Sequence, residues 1–481
     1  MATQKFQTLP VGTARTHPHM AGPILDANNV VVGFTASGGD TYPLATYATD
    51  LLTGGVAGLS NPAGGLIPLV TQQPVLAAVG DSRIALGRTA SASSGYELRT
   101  DGATNWIEPL MQGRVRHPAS HYLAVSGSGY ADANGVLTLQ IPQLAALSPR
   151  PTHVAILSGT NDIGNAVPLA TIKANILLAW AQIRSLGMIP VQILDLPRTV
   201  ASWTANMAKQ RLDLNNWIAA NAPLSGAYYI DGNQSYVDPA NANGDPLTGY
   251  NMPDGIHPTS KGAYQVGLAL KKYFDTIALP NIVRPSSQLD VYDATLNPRG
   301  NGILLGGTMS GSTGTNSGVG ASGTVASNFQ NRVLTGTATA VSTSGVARTD
   351  GGAGYWDQVV IAATTLSTFR FTHTGTAANA TVGDMVYGAV DLVITCASLD
   401  FLSLLVLTNG GTGNSSAFKT TSTFPMPDMT IVAIRLITPP FVLGAGTTDI
   451  LFRIDSQIEA GGSATILIGG AEIRKVIAGT A

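Results

Sequence analysis

Four short stretches of this chain hold residue types that can act together on a carbonyl carbon. The first is Gly80-Asp81-Ser82, which closes the apolar run Val75-Leu76-Ala77-Ala78-Val79. A run of this kind, broken by glycine and two small polar residues, suits a strand that leaves a parallel sheet at its carboxyl end and turns into a helix. A serine at such a turn sits beside unsatisfied helix N–H groups, which favour the oxyanion formed when its hydroxyl attacks a carbonyl. Taken alone, Asp81 or Ser82 is equally well read as a helix N-cap.

Three later stretches bear on that choice. Tyr122-Leu123-Ala124-Val125 is strand-like and breaks at Ser126-Gly127-Ser128-Gly129, where a glycine lets a backbone N–H face a ligand. Val154-Ala155-Ile156-Leu157 breaks at Ser158-Gly159-Thr160-Asn161-Asp162. If these breaks share one sheet edge, the Asn161 amide donates to the same oxyanion as the Ser82 and Gly127 N–H groups. Asp254-Gly255-Ile256-His257-Pro258 sets a carboxylate and an imidazole three residues apart before a helix. Asp254 there can hold one ring nitrogen while the other takes the Ser82 proton. Each stretch also has a plain structural reading: a turn at Gly127, a helix cap at Asn161 and Asp162, a helix entry at His257.

Together the four blocks resemble the SGNH, or GDSL-type, hydrolases over about residues 74–280. The resemblance implies a flavodoxin-like three-layer α/β/α fold and metal-free cleavage of esters or thioesters, often acetyl esters on carbohydrate, with no cofactor. It makes Ser82 the nucleophile, His257 the general base and acid, and Asp254 the residue that orients His257. The oxyanion hole is then Ser82, Gly127 and Asn161. Position 83 is Arg where the family's short name implies Leu, which leaves open whether this charge packs behind the nucleophile or faces the substrate. The second block is loose, and Gly129 rivals Gly127.

The elements that must position these groups follow from periodicity. Helical patterns run over Leu169 to Leu186, Ala205 to Ala220 and Ser260 to Phe274, alternating with strands at Val154 to Leu157 and Ile189 to Leu194. Alternation of this kind predicts parallel βαβ units covered by helices on both faces. Residues 1–72 read as a β-rich attachment segment with a strand at Val30 to Phe34, residues 73–280 as the α/β domain, and 281–323 as a Gly/Ser/Thr-rich connector containing Pro285 to Pro298. About eight short strands across residues 324–481 predict an antiparallel β-sandwich, jelly-roll-like, for sugar binding or trimerisation.

Secondary candidates carry less. Arg198, after the strand ending at Leu194, has two readings, reach into the pocket and surface solvation, of which solvation is the stronger. Trp203 and the loop 232–250 suit a pocket wall, with Asn233, Tyr236 and Tyr250 read either as sugar contacts or as ordinary residues of a solvated loop. His117 and His121, and His17 and His19, have ligand-like spacing but lack further partners, so no metal is expected.

Composition narrows the partners. The 481 residues carry a formal net charge of −2 with only 11% charged residues, which argues against nucleic acid and anionic membranes. The 55 glycines, the mean hydropathy of +0.19 and the sparse charge suit a surface partly covered between subunits. Cys396 is the single cysteine, so an intrachain disulfide is impossible. The start of the sequence lacks the apolar core of a secretory signal. The modular order, with a hydrolase ahead of a β-domain, is similar to bacteriophage tail spike and tail fibre proteins. That resemblance implies a virion location, a homotrimer, and an O-acylated bacterial surface polysaccharide as the partner. Two other classes stand beside it: a catalytically silent glycan-binding virion protein, and a cellular lipase or thioesterase with an apolar acyl channel.

Overall fold

The computed structural model describes residues 73–90, 96–241, 244–278, 300, 307–373, 381–409, 412–419 and 425–476, and the backbone of four strands before them. Those four, Phe6–Thr8, His19–Leu25, Val31–Thr35 and Thr41–Pro43, pair in order as an antiparallel sheet. His17, the turns at 38–40, 53–55 and 64–65, and the Pro285 to Pro298 connector lie outside the described residues.

The centre of the hydrolase-like part is a parallel sheet of four strands. Leu76–Gly80 pairs with His153–Leu157, which pairs with Ile189–Ile193, which pairs with Tyr228–Ile230. The first two strands are buried at every position, as expected of near-continuous apolar runs covered on both faces. Side chains alternate between two cores. Leu76, Ala78, Ala155, Leu157, Val191 and Ile193 face the core completed by Val266, Leu270 and Phe274. Ala77, Val79, Val154 and Ile156 face the one completed by Ile172, Ile176, Trp180, Leu214 and Ile218. Helices Leu169–Ser185 and Ala205–Asn221 thus cover one face and Ser260–Phe274 the other, within a residue or two of the predicted spans.

The run Tyr122 to Val125 is not a full strand. It meets the sheet through one parallel bridge, Ala78 to Tyr122, with Leu123 N–H donating to Ala78 O at 2.9 Å and Val125 N–H to Gly80 O at 3.1 Å. Those two bonds suffice to bring the Gly127 loop beside the end of the Ser82 strand. Gly80 itself has φ +144°, and a Cβ there would lie 2.0 Å from Leu157 O. The close approach of these two strand ends therefore requires glycine.

The C-terminal part is β-rich and is one hydrogen-bonded network. Its axis is two long antiparallel strands, Met385–Thr408 and Ile450–Lys475, in register from Val386 opposite Lys475 to Thr408 opposite Ile450. Each contains two of the short strands predicted separately. The runs Met385 to Ile394 and Phe401 to Leu407 are continuous, and so are Thr448 to Ile454 and Ala464 to Ile468, apart from the first two residues. Register shifts near Ala397 to Phe401 let the paired strands bend without ending. Strands also form at Thr315–Ser317, inside the span read as a connector, and at Ala321–Thr324, across its end.

The two parts are joined by pairing that composition does not reveal. Arg88–Ala90 and Tyr96–Arg99 leave the hydrolase part as an antiparallel pair, and Tyr96–Arg99 adds in parallel to Thr412–Lys419 of the C-terminal network. Trp106 packs its ring 4.5 Å from that of Phe418, centroid to centroid, and Leu110, Ala263 and Tyr264 join the same core. Burial of large aromatic side chains across this boundary contributes several kcal/mol, on the order of 2–3 per ring.

Candidate active site

The carboxyl ends of the parallel strands bring the four sequence blocks together. Asp81 N-caps the helix Ser82–Ala85, its carboxylate accepting from Arg83 N–H at 3.0 Å. The N-cap reading is thus correct for Asp81, and it sets Ser82 at the first helical position with its N–H lacking a partner among the described residues. Ser82 Oγ lies 2.7 Å from His257 Nε2, across 175 residues of sequence. His257 Nδ1 lies 2.6 Å from Asp254 Oδ2.

Asp254 is held by the turn it begins. Its Oδ1 accepts from Ile256 N–H at 2.8 Å and His257 N–H at 3.1 Å, an Asx turn that fixes the imidazole relative to the carboxylate. Partial burial alone would raise the Asp254 carboxyl. The His257 ring bond and the two backbone N–H groups outweigh it and hold the group below the ordinary carboxylate value. Asn251 secures the turn from behind, donating through Nδ2 to Pro197 O at 3.0 Å and Gly255 O at 3.1 Å.

The glycine loop separates its two candidates. Gly129 N–H donates to Asp132 Oδ2 at 2.5 Å, and a Cβ at Gly129 would sit 2.7 Å from Asp162 Oδ1. Gly129 is therefore the packing glycine. Gly127 has φ +79°, open space where a Cβ would be, and no partner for its N–H among the described residues. Asn161 Nδ2 donates to Ser128 O at 2.9 Å, tying the Asn161 helix to this loop and leaving its second amide hydrogen unused. Gln140 is a buried brace that sequence reasoning missed. Its Oε1 accepts from Gly80 N–H at 2.6 Å, and its Nε2 donates to Gly80 O and Ser128 Oγ at 3.0 and 3.1 Å. No motif marks a glutamine in such a role.

Arg83 faces inward. Its guanidinium is fully buried and donates to Asp81 Oδ2 at 2.6 Å and to Asp195 Oδ1 at 2.5 Å. Burial alone would depress it, but the two carboxylates more than reverse this and keep it protonated. The charge beside Ser82 is therefore a packed, neutralised element.

Asp162 supports the loop from below, accepting from Tyr130 N–H at 3.2 Å. Burial pushes its carboxyl up to about 6 from an ordinary 3.8. A raised folded-state value favours the neutral form, so this contribution to stability is complete below about pH 4 and is lost as pH rises through 6. Asp162→Asn keeps an acceptor and removes the charge. Its unfolding free energy relative to wild type is expected to improve by about 2 kcal/mol between pH 4 and pH 7, read from urea denaturation.

Other candidates resolve differently. Tyr236 is fully buried, donating to Tyr250 O at 3.1 Å and bonded to Asn251, so it is a support for the Asp254 turn and not a sugar contact. His117 is buried against Tyr122, with Nδ1 3.0 Å from Leu76 O and Nε2 3.0 Å from Thr104 Oγ1; burial pushes it down to about 3. Arg198 is half-buried, its guanidinium 4.7 Å over the Trp203 ring, which corrects its reading as a solvated group. Among the described residues no group of three His, Cys, Asp or Glu side chains is placed to hold a metal. A cavity of about 620 Å³ between the two parts of the chain lies at the amino end of the sheet, near His117, away from Ser82.

The model of the GDSL-like Lipase/Acylhydrolase family matches residues 78–264. The match supports a GDSL/SGNH lipase-acylhydrolase domain over this stretch, and with it an esterase or acylhydrolase activity. Among solved structures, the chain is similar to one described as a lipolytic protein of the G-D-S-L family from Desulfitobacterium hafniense DCB-2, at 19% identity and TM-score 0.31, covering 42% of this chain and 99% of that one. It is similar to an acylhydrolase structure from Bacteroides fragilis NCTC 9343 at 16% identity and TM-score 0.32, covering 48% and 96%. A third is an acetyl-xylooligosaccharide esterase from Geobacillus Stearmophilus, at 15% identity and TM-score 0.32, covering 42% and 95%. No curated protein matches the sequence.

Proposed function

We propose that the protein is a serine esterase in which Ser82 attacks the ester carbonyl, His257 moves the proton and Asp254 orients His257. The observation that carries this reading is the hydrogen-bonded chain from Ser82 Oγ to His257 Nε2 and from His257 Nδ1 to Asp254, at 2.7 and 2.6 Å. As Oγ bonds to the carbonyl carbon, its proton passes to Nε2. The oxyanion is met by the N–H groups of Ser82 and Gly127 and the unused amide hydrogen of Asn161. Collapse expels the alcohol, which takes the proton from His257. Water, deprotonated by the same imidazole, then releases the acid and restores Ser82. The direct test is hydrolysis of 4-nitrophenyl acetate by wild type and Ser82→Ala; equal background rates from both would sink the proposal.

The finer reading is removal of acetyl groups from a bacterial surface polysaccharide by a homotrimeric phage tail spike or receptor-binding protein. Its support is the order of parts, a β-stranded head, a hydrolase and a β-rich C-terminal domain read as sandwich-like, together with the sparse surface charge. Exposed apolar side chains at Val319, Val382 and Ile431 in the C-terminal part suit packing between copies. Light scattering of the full chain is expected to give three times the 49.5 kDa chain mass, and a monomer would remove the trimer.

A further inference from the structure

We propose that Arg198 is a carboxylate-binding specificity residue at the rim of the active site, so that the preferred substrate is an ester whose alcohol part carries a carboxylate, such as an acidic sugar. The inference rests on the esterase reading of the same site and names its substrate class.

Three observations carry it. The first is position. Arg198 follows the strand Ile189–Ile193 at the carboxyl edge where Ser82 and Asn161 also lie. Its Nη1 reaches Thr160 Oγ1 at 3.2 Å, next to Asn161, while the adjacent Thr199 N–H donates to Gly255 O at 2.8 Å, inside the Asp254 turn. Arg198 is thus held between the two halves of the site, by its side chain on one and by its neighbour's backbone on the other.

The second is charge. Among the described residues Arg198 has no ion-pair partner, and its Nε is shut from solvent without a hydrogen bond. The carboxylates close enough to act on it are committed elsewhere: Asp81 and Asp195 to Arg83, Asp254 to His257. A half-buried cation without its own counter-ion is unfavourable, and an anion brought by the substrate relieves that cost. Arg83, a few residues from the same edge, shows the opposite case, with two carboxylates of its own.

The third is preorganisation. Stacking on Trp203 at 4.7 Å and the Thr160 contact hold the fork in place, so little side-chain freedom is lost when it binds. A planar guanidinium matches the two oxygens of one carboxylate.

The test compares kcat/KM for 4-acetoxybenzoate and its neutral methyl ester in wild type, Arg198→Gln and Arg198→Lys, with melting curves to verify folding. The anionic-to-neutral ratio is expected to be about tenfold or more higher in wild type than in Arg198→Gln, to be partly restored by lysine, and to shrink with added salt. A ratio that is the same in wild type and Arg198→Gln overturns the inference while leaving the esterase reading in place. Calorimetric titration of 4-acetoxybenzoate into Ser82→Ala, and into Ser82→Ala with Arg198→Gln, separates the two claims. Binding that depends on Arg198 without any wild-type turnover would remove the esterase reading alone, and binding indifferent to Arg198 removes the carboxylate site.

Discussion

Alanine at Ser82 or at His257 is expected to lower kcat/KM for an aryl acetate by at least about 10⁴-fold, and the double variant to be scarcely worse than either single one. In the proposed mechanism the two side chains form one device. Without Oγ there is no bond for the imidazole to assist, and without Nε2 the serine hydroxyl must attack as a weak neutral nucleophile. Their separation of 2.7 Å means that each single variant already disables the transfer. Rates that multiplied in the double variant would indicate independent roles and count against a shared proton transfer. Asp254→Ala is expected to fall less steeply, because the turn keeps contacts that do not involve the carboxylate: Met252 and His257 stay joined by a backbone hydrogen bond of 2.8 Å, and Asn251 Nδ2 still donates to Gly255 O at 3.1 Å. Folding should be little changed in the Ser82 variant, since the cap of its helix is Asp81.

What could be read from the sequence divides along physical lines. Ser82, Asn161 and the Asp254 and His257 pair were legible because each sits where a regular element breaks, and breaks are written in local residues: glycine, Asx turns and caps. The helices at 169–185, 205–221 and 260–274 were legible from periodicity for the same reason. Gln140 and Tyr236 were not. Their roles depend on partners 60 and 15 residues away, and a buried polar side chain looks in sequence like a solvated one. The docking of Tyr96–Arg99 onto Thr412–Lys419 pairs residues more than 300 positions apart, which no window registers. In the C-terminal part, two strands of 24 and 26 residues outrun the usual length of strands, so their interior glycines and polar residues read as ends.

Arg83→Leu makes the other large prediction, and it tests stability instead of chemistry. Leucine is what the short name of the GDSL family implies at this position, so a substitution chosen by resemblance alone would look harmless. In this chain it leaves Asp81 and Asp195 buried, both formerly paired within 2.6 Å of the same guanidinium. Breaking a buried ion pair by removing one partner typically costs about 3–5 kcal/mol, because the remaining charge keeps its desolvation penalty. Urea denaturation at pH 7 should show a loss of that size for Arg83→Leu. Protonation relieves the orphaned carboxylates, so the deficit relative to wild type should narrow as pH falls towards 4. Replacing Asp195 by leucine together with Arg83→Leu should recover part of the loss, since only Asp81 is then unpaired. A fully stable Arg83→Leu protein would mean that the buried triad does not hold the turn on which Ser82 is presented. Activity should fall along with stability in the leucine variant, because Asp81 caps the helix that begins with Ser82 and Arg83 holds the Asp81 carboxylate in place for that cap.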